Sequence, residues 1–139
     1  MKLVKQNIFL KPLTSHRRLG RSAENLALWF LRQRGWFLLC RNWHSRYGEL
    51  DCVVQHLASN TIAFVEVKAL RRETHHRVEE AVSYAKQQKM AKCANLWRLQ
   101  HGIWEAYYRF DVIGIVMQSR KMPRIRYIPN AFSSDHFLY

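Results

Sequence analysis

The alternation of apolar and polar positions divides the chain into two helical stretches and several strands. From about Ser15 to Arg34 apolar residues return every three or four positions, which predicts an amphipathic helix ending at Gly35. A longer helical pattern runs from Val78 to about Gln100. Between the helices, the run from Trp36 to Trp43 predicts a first strand, whose aromatic side chains either pack in the core or stack on unpaired bases. The inward-facing residues predicted for the second helix are Val78, Ala81, Val82, Ala85, Cys93, Ala94 and Trp97.

Two runs rich in Val, Ile, Leu and Phe follow the first strand. They cover Gly48 to Gln55 and Thr61 to Val67, and the polar residues between them are typical of the turn of an antiparallel hairpin. If the hairpin closes symmetrically about residues 57–60, Asp51 lies opposite Glu66 and Glu49 lies opposite Lys68.

Opposed carboxylates on a sheet repel each other unless positive charge lies between them. The predicted pairing of Asp51 with Glu66 therefore calls for a cation. Mg²⁺ suits such a place because it prefers a few carboxylate oxygens and keeps several of its waters. The alternative is an ordinary polar face of a hairpin in water.

The remaining apolar runs complete an α/β pattern. Ile103 to Met117 contains a strongly apolar strand that should run parallel to the third strand after a crossover helix, and Arg124 to Ile128 predicts a short last strand. Asp111 is assigned to a structural ion pair, with Arg109 or with an arginine of another strand. The expected fold is an α/β/α sandwich whose mixed sheet has an antiparallel three-strand meander, a crossover helix and a parallel fourth strand.

Charge and composition limit the kinds of partner that this protein is expected to bind. The 139 residues suit one domain, and 23 Lys and Arg against 10 Asp and Glu give a net charge of +13. This balance favours a protein with a polyanionic partner, either nucleic acid or an anionic membrane surface, over a basic protein without such a partner. A membrane surface would need an amphipathic cationic helix, and Pro12 truncates the Met1 to Leu13 segment that might supply one.

Neither a membrane span nor a structural zinc site is expected. No apolar run approaches ~20 residues and the amino terminus lacks the apolar core of a secretion signal, so we expect a cytoplasmic protein without a membrane partner. Cys40, Cys52 and Cys93 show no C-x-x-C spacing, which favours buried reduced thiols.

The acidic hairpin resembles a known nuclease signature. Asp51 followed by Glu66-Val67-Lys68 is similar to the PD-(D/E)xK motif of restriction-endonuclease-like nucleases, although Leu50 stands where the motif has its proline. The wider string closely resembles the YraN family of small bacterial proteins and extends from about residue 19 to 132. It comprises Gly20 to Ala27, Arg41 to Trp43, Gly48 to Asp51, Phe64 to Lys68, Glu80 to Val82, Lys86-Gln87 and Arg109 to Val112.

This resemblance implies an endonuclease-like domain at residues 19–132. Residues 1–18 then form a basic extension, either a flexible arm or a segment packed on a partner subunit, and residues 133–139 form a tail. The loop after the Val-Lys strand departs from the family, which commonly has glycine or proline where this chain has Arg71 to Arg77. A similarity to archaeal Holliday-junction resolvases leaves open a homodimer, since two sites are needed to cut two strands.

The same resemblance implies a metal-dependent nuclease acting on DNA, with branched or single-stranded DNA among the candidate substrates, or less favourably on RNA. The alternative is a non-catalytic nucleic-acid-binding protein of the same fold. The implied metal is Mg²⁺ or Mn²⁺, and its implied ligands are Asp51, Glu66, the Val67 carbonyl, Glu24 and Glu49. Catalytic roles fall to Asp51, Glu66, Lys68, Glu24 and Gln87.

Phosphate binding is assigned to basic side chains around this site. The adjacent residues His75 and His76 are expected to be solvated rather than to bind a metal. Such contacts position a nucleic acid without reading its sequence. The residues assigned to nucleic-acid binding are Arg21, Arg71, Arg72, Arg77, Lys86 and Lys89.

Overall fold

Two helices and five strands follow the order expected from the sequence. The computed structural model describes residues 15–70, 82–117 and 120–135, with side chains from residue 21 onward. The elements are α1 (Ser15–Arg32), β1 (Trp36–Ser45), β2 (Gly48–His56), β3 (Thr61–Leu70), α2 (Tyr84–His101), β4 (Tyr107–Val116) and β5 (Arg124–Phe132).

The strands form one mixed sheet in the order β1-β2-β3-β4-β5. β1, β2 and β3 are antiparallel, β4 runs parallel to β3, and β5 is antiparallel to β4. The chain returns to the same end of the sheet through α2, because a parallel neighbour requires a crossover connection. The predicted α/β fold with a parallel fourth strand is confirmed, and it is consistent with a restriction-endonuclease-like sandwich.

One helix covers each face of the sheet. Ala23, Ala27 and Leu31 of α1 pack on one face against a cluster that includes Val54 and Ile113. On the other face α2 packs against the sheet through a second cluster of buried residues. That cluster includes Leu50, Val53, Ile62, Phe64, Met90, Cys93, Ala94, Trp97, Phe110 and Val112. The apolar face predicted for the first helix is thereby confirmed.

The hairpin of β2 and β3 has the register expected from its symmetric turn. Cys52 pairs with Val65, and the ladder continues to His56 opposite Thr61. The ladder ends at Cys52, so Glu49 and Lys68 are not paired across it. The divergence of β2 from β3 beyond Cys52 creates the place where the acidic residues lie.

Asp111 forms the structural ion pair expected of it. Its carboxylate is fully buried and accepts hydrogen bonds from Arg109 Nε at 3.0 Å and from the Asn130 N–H at 2.9 Å. The Tyr127 hydroxyl donates to the same carboxylate. These contacts join β4 to β5, so this acid serves the fold rather than the candidate metal site.

The second helix begins later than predicted. Ser83 caps it by accepting a hydrogen bond from the Lys86 N–H at 3.2 Å, and helical structure starts at Tyr84. Val82 is buried ahead of this cap, whereas Ala85 is exposed, so the inward assignment of Ala85 is wrong. A cap sets the helix start because it satisfies free backbone N–H groups, which apolar periodicity alone does not reveal. Val78 and Ala81 lie outside the described residues.

The last strand is longer than predicted and the cysteines are reduced. β5 extends to Phe132, which stacks on Phe110 at a centroid distance of 4.8 Å. All three cysteines are free; Cys52 and Cys93 are buried and Cys40 is half-buried. Burial raises the pKa of the Cys52 thiol well above its ordinary value, which keeps it unreactive. Among the described helices, neither has the length and apolar character to cross a membrane.

Candidate active site at the fork of β2 and β3

Asp51 is held where β2 separates from β3. Its Oδ2 accepts a hydrogen bond from the Val67 N–H at 2.8 Å. Where the backbone pairing of β2 and β3 ends, the Asp51 side chain thus replaces a main-chain group as the hydrogen-bond partner of β3. This contact anchors the carboxylate against β3. The predicted proximity of Asp51 to the Glu66-Val67 segment follows from this contact.

Glu66 is the buried member of the acidic pair, with 4% of its surface exposed. Its Oε1 lies 3.4 Å from Lys68 Nζ and 3.6 Å from Lys86 Nζ. Its Oε2 is also buried and has no hydrogen-bond partner among the residues that the structure describes. An unpartnered buried carboxylate oxygen is unfavourable unless another group or ion satisfies it.

The electrostatics of Glu66 reflect this crowding. Burial raises its pKa to about 7, and the negative charge of the Asp51 carboxylate acts in the same direction. The Lys86 and Lys68 ammonium groups oppose the rise. Burial and a like charge are the two causes that most often perturb carboxyl groups at active sites.

This donor set fits a hard divalent cation. Asp51 and Glu66 supply carboxylate oxygens, the free Glu66 Oε2 is one of them, and Mg²⁺ is commonly bound by one or two carboxylates together with water. Within residues 15–70, 82–117 and 120–135, no group of three His, Cys, Asp or Glu side chains lies together as a ready-made metal site. The fit therefore rests on the carboxylate pair.

The two further acids implied by the family resemblance have other partners. Glu24 lies 3.2 Å from Arg41 Nη2. Burial raises the pKa of Glu24, and the charge of Asp51 raises it further, so these carboxylates are electrostatic neighbours. Glu49 is half-exposed and its Oε2 lies 3.3 Å from His44 Nδ1. Glu24 thus borders the acidic pair, while Glu49 pairs with β1.

The helix residues are brought to the site to different degrees. Lys86 reaches Glu66 directly, whereas Gln87 donates its amide to the Val82 carbonyl at 3.1 Å. Lys89 is exposed one turn further along α2. Arg21 on α1 is half-buried, and within the described part of the chain its Nε has no hydrogen-bond partner. Arg71, Arg72 and Arg77, which were assigned to phosphate binding, lie outside the described residues.

Arg41 is a site residue that the sequence reasoning did not assign. It is 6% exposed on β1, opposite Cys52 on β2, and it holds Glu24. A signal was present, because Arg41 directly follows five apolar residues of β1 and a buried arginine requires an acidic partner. Only the packing of α1 against the sheet identifies that partner as Glu24.

Comparison with known proteins shows where this chain belongs. The sequence model of the uncharacterised protein family UPF0102 matches residues 23–115. A UPF0102 protein of Stutzerimonas stutzeri is 43% identical over 116 residues, which cover 83% of this chain and 94% of that protein. A second, from Bifidobacterium longum, is 39% identical over 115 residues, covering 81% and 91% respectively. A third, from Myxococcus xanthus, is 34% identical over 118 residues, covering 85% and 91%. The chain therefore belongs to the uncharacterised protein family UPF0102, the YraN family.

Proposed function

We propose that this protein is a metal-dependent phosphodiesterase that cleaves nucleic acid, with DNA favoured over RNA. The observation that carries the proposal is the buried Glu66 carboxylate, whose Oε1 lies 3.4 Å from Lys68 Nζ and 3.6 Å from Lys86 Nζ. Burial and, after it, the charge of Asp51 raise the pKa of Glu66 to about 7. A buried carboxylate beside a second acidic side chain is costly to the fold and is typical of a catalytic site.

The proposed cofactor is Mg²⁺ or Mn²⁺, held by Asp51, Glu66 and the Val67 carbonyl. When bound, such an ion would supply Lewis-acid charge that acidifies water and neutralises phosphate. Asp51 is positioned for this by the Val67 N–H, and Glu66 by Lys86 and Lys68. Glu24 and Glu49 would extend the acidic set through water, with Arg41 keeping the Glu24 carboxylate in place.

Lys68 is the proposed partner of the reacting phosphate. Its side chain is one-third exposed, so its ammonium group contacts Glu66 and remains accessible to a ligand. There it would donate hydrogen bonds to a phosphate oxygen and stabilise the negative charge that grows in the transition state. Lys86 lies 3.6 Å from the same Glu66 oxygen, which suits it to positioning that carboxylate. Gln87 would contact the same phosphate through its side-chain carbonyl oxygen or a water.

The net charge of +13 supports a nucleic-acid partner. Positive charge attracts the phosphate backbone over a distance and makes binding depend strongly on salt. Acidic side chains repel a polyanion and weaken its binding. Carboxylates clustered on a surface that binds nucleic acid therefore have a role only if they hold a cation. A homodimer would present two such sites, one for each strand of a branched substrate.

Cleavage of labelled single-stranded, flapped, branched and duplex DNA, with Mg²⁺, Mn²⁺ or EDTA, tests the proposal. We expect metal-dependent cleavage by the wild type, a loss of at least about a hundredfold in Asp51→Asn and Lys68→Ala, and retained binding. Glu105→Gln is the matched control, because Glu105 is an exposed acid beside the β2–β3 turn, at the opposite end of the sheet. Cleavage that survives in EDTA or in Asp51→Asn would refute the assignment.

A second candidate function is nucleic-acid binding without turnover. The observation that favours it is that Lys68 and Lys86 already lie within 3.6 Å of Glu66 and offset its charge without an ion. Tight, salt-dependent binding together with an absence of Mg²⁺ or Mn²⁺ binding by calorimetry would select this function over the nuclease.

A further inference from the structure

The turn between β1 and β2 carries an exposed basic and aromatic surface, beside Lys89 of α2, which the sequence analysis assigned to nucleic-acid binding. We define the turn platform as Arg46, Tyr47, Lys89 and Lys92. Arg46, Lys89 and Lys92 are exposed, and Tyr47 is half-buried and packs against the core. The platform therefore offers a half-buried aromatic ring beside exposed cations.

The turn is fixed in position against α2. Ser45 Oγ accepts a hydrogen bond from the Tyr47 N–H at 3.1 Å, donates to the Gly48 carbonyl at 3.2 Å, and lies 3.4 Å from Cys93 Sγ. A Cβ atom at Gly48 would lie 3.8 Å from that sulfur and 3.9 Å from Lys89 Cβ. The Tyr47 ring is thus held in place before any ligand arrives, which reduces the entropy lost on binding.

Two cations lie close to this ring, and one of them also contacts its hydroxyl. The Arg46 guanidinium lies 4.8 Å from the ring centroid and donates from Nη2 to the Tyr47 hydroxyl at 2.7 Å. Lys92 Nζ lies 5.8 Å from the same centroid, and Lys89 lies one helical turn before it. Cation–π contacts at exposed sites are weak, so these side chains are able to exchange the ring for a phosphate.

The platform connects to the carboxylate site along α2. Lys86, Lys89 and Lys92 follow at intervals of three residues down one flank of the helix, which rises ~9 Å over that span. Lys86 marks the near end because it contacts Glu66, and Tyr47 marks the far end beside Lys92.

We infer that the turn platform binds a nucleic-acid strand with unpaired bases, one of which stacks on Tyr47 while its phosphates lie along Lys86, Lys89 and Lys92. In a duplex both faces of an internal base are covered by its neighbours, whereas an unpaired base has a free face for an aromatic ring. The inference rests on the proposed nucleic-acid partner and does not depend on cleavage. It names single-stranded or locally unpaired nucleic acid as the substrate class.

Fluorescence anisotropy in EDTA tests the inference, with a short labelled oligonucleotide of mixed sequence as DNA and as RNA, each single-stranded and as a blunt duplex. Tyr47→Leu keeps an apolar side chain and removes the ring, so single-strand affinity should fall about tenfold while duplex affinity changes little. Tyr47→Phe retains the ring and should bind as the wild type does. Equal single-strand binding by Tyr47→Leu and the wild type would overturn the inference.

Charge variants test the track separately from the ring. Lys92→Gln should reduce the slope of log affinity against log salt for single strands by about 0.7, the value expected for one phosphate contact. Arg32→Gln is the matched control, since it removes an equal exposed charge from α1 on the opposite face of the sheet. Equal slopes for Lys92→Gln and the wild type would place the strand elsewhere.

Each outcome separates this inference from the nuclease proposal. Tyr47-dependent single-strand binding without metal-dependent cleavage supports the platform and removes the proposed activity. Cleavage with unchanged binding in Tyr47→Leu, Arg46→Gln and Lys92→Gln supports the activity and removes the platform. Arg46 is exposed, so Arg46→Gln does not alter the core, and a roughly twofold or larger loss of single-strand affinity is expected of it.

Discussion

Replacing Glu66 by glutamine should change how the stability of the metal-free protein depends on pH. Burial and the neighbouring Asp51 carboxylate raise the pKa of Glu66 from 4.5 to about 7. Between these values the folded protein keeps a proton that the unfolded chain has released, so folding is favoured while the carboxyl group remains protonated. This contribution is complete below about pH 4.5 and is lost as the pH rises through about 7.

The size of the effect follows from the displaced pKa. A tenfold difference in proton affinity corresponds to ~1.4 kcal/mol, so a pKa that moves from 4.5 to about 7 contributes about 3 kcal/mol. The Glu66 side chain is 5% exposed, so solvent screens it little. The amide in Glu66→Gln does not titrate. The unfolding free energy of the variant minus that of the wild type should therefore rise by about 3 kcal/mol between about pH 4.5 and pH 8.

Urea unfolding in EDTA, followed by tryptophan fluorescence, measures this difference, because Trp36 and Trp97 are buried in the core. Exposed Glu105 provides the control, and Glu105→Gln should differ from the wild type by a nearly constant amount across the same pH range. A Glu66→Gln difference that varies by less than about 0.5 kcal/mol over the range would refute the electrostatic reasoning.

Adding Mg²⁺ extends the same experiment to the proposed cofactor. Ligand at about a hundred times its Kd raises the unfolding free energy by about 2.7 kcal/mol. We expect this stabilisation in the wild type above about pH 7, where Glu66 is ionised, and its loss in Glu66→Gln and Asp51→Asn. Equal stabilisation of all three proteins would locate the ion away from the carboxylate pair.

Two further predictions concern contacts that stabilise the fold. Asp111→Asn should lower the unfolding free energy by about 3 kcal/mol or more, because it leaves Arg109 and the Asn130 N–H without a buried carboxylate. Urea unfolding measures this loss, and a value below about 1 kcal/mol would contradict the prediction. Ser83→Ala should lower the unfolding free energy by about 1 kcal/mol and speed hydrogen exchange at the Lys86 amide, because it removes the cap of α2. Unchanged exchange at that amide would show that the Ser83 side chain is not needed as a cap.

Local patterns account for most of the fold that the sequence predicted. The alternation of side chains in β2 and β3 and their short turn fixed the register from Cys52 to His56, because a slip of one residue would expose the buried side of the hairpin. Helical periodicity placed Ala23, Ala27 and Leu31 on the buried face of α1. The parallel pairing of β4 with β3 followed from the helix between them.

Spacing along the sequence also predicted that Asp51 and Glu66 would meet, but not how they are held. The Val67 N–H fixes Asp51, and Lys86 reaches Glu66 from a helix 20 residues later in the chain. The pKa of Glu66 depends on this burial and on both lysines, so only the assembled layers determine it. Pattern alone likewise left Glu24 at the edge of a helix face, without its partner Arg41.

The sequence by itself thus determined the order of the elements, the hairpin register and the acidic pair, because each depends on periodicity or on residues close in the chain. The tertiary structure decided the start of α2 at Ser83, the pairing of Glu49 with His44, and the position of Tyr47 beside Lys92. These features depend on side chains from separate elements meeting in space, and such contacts have no periodic signal in the sequence.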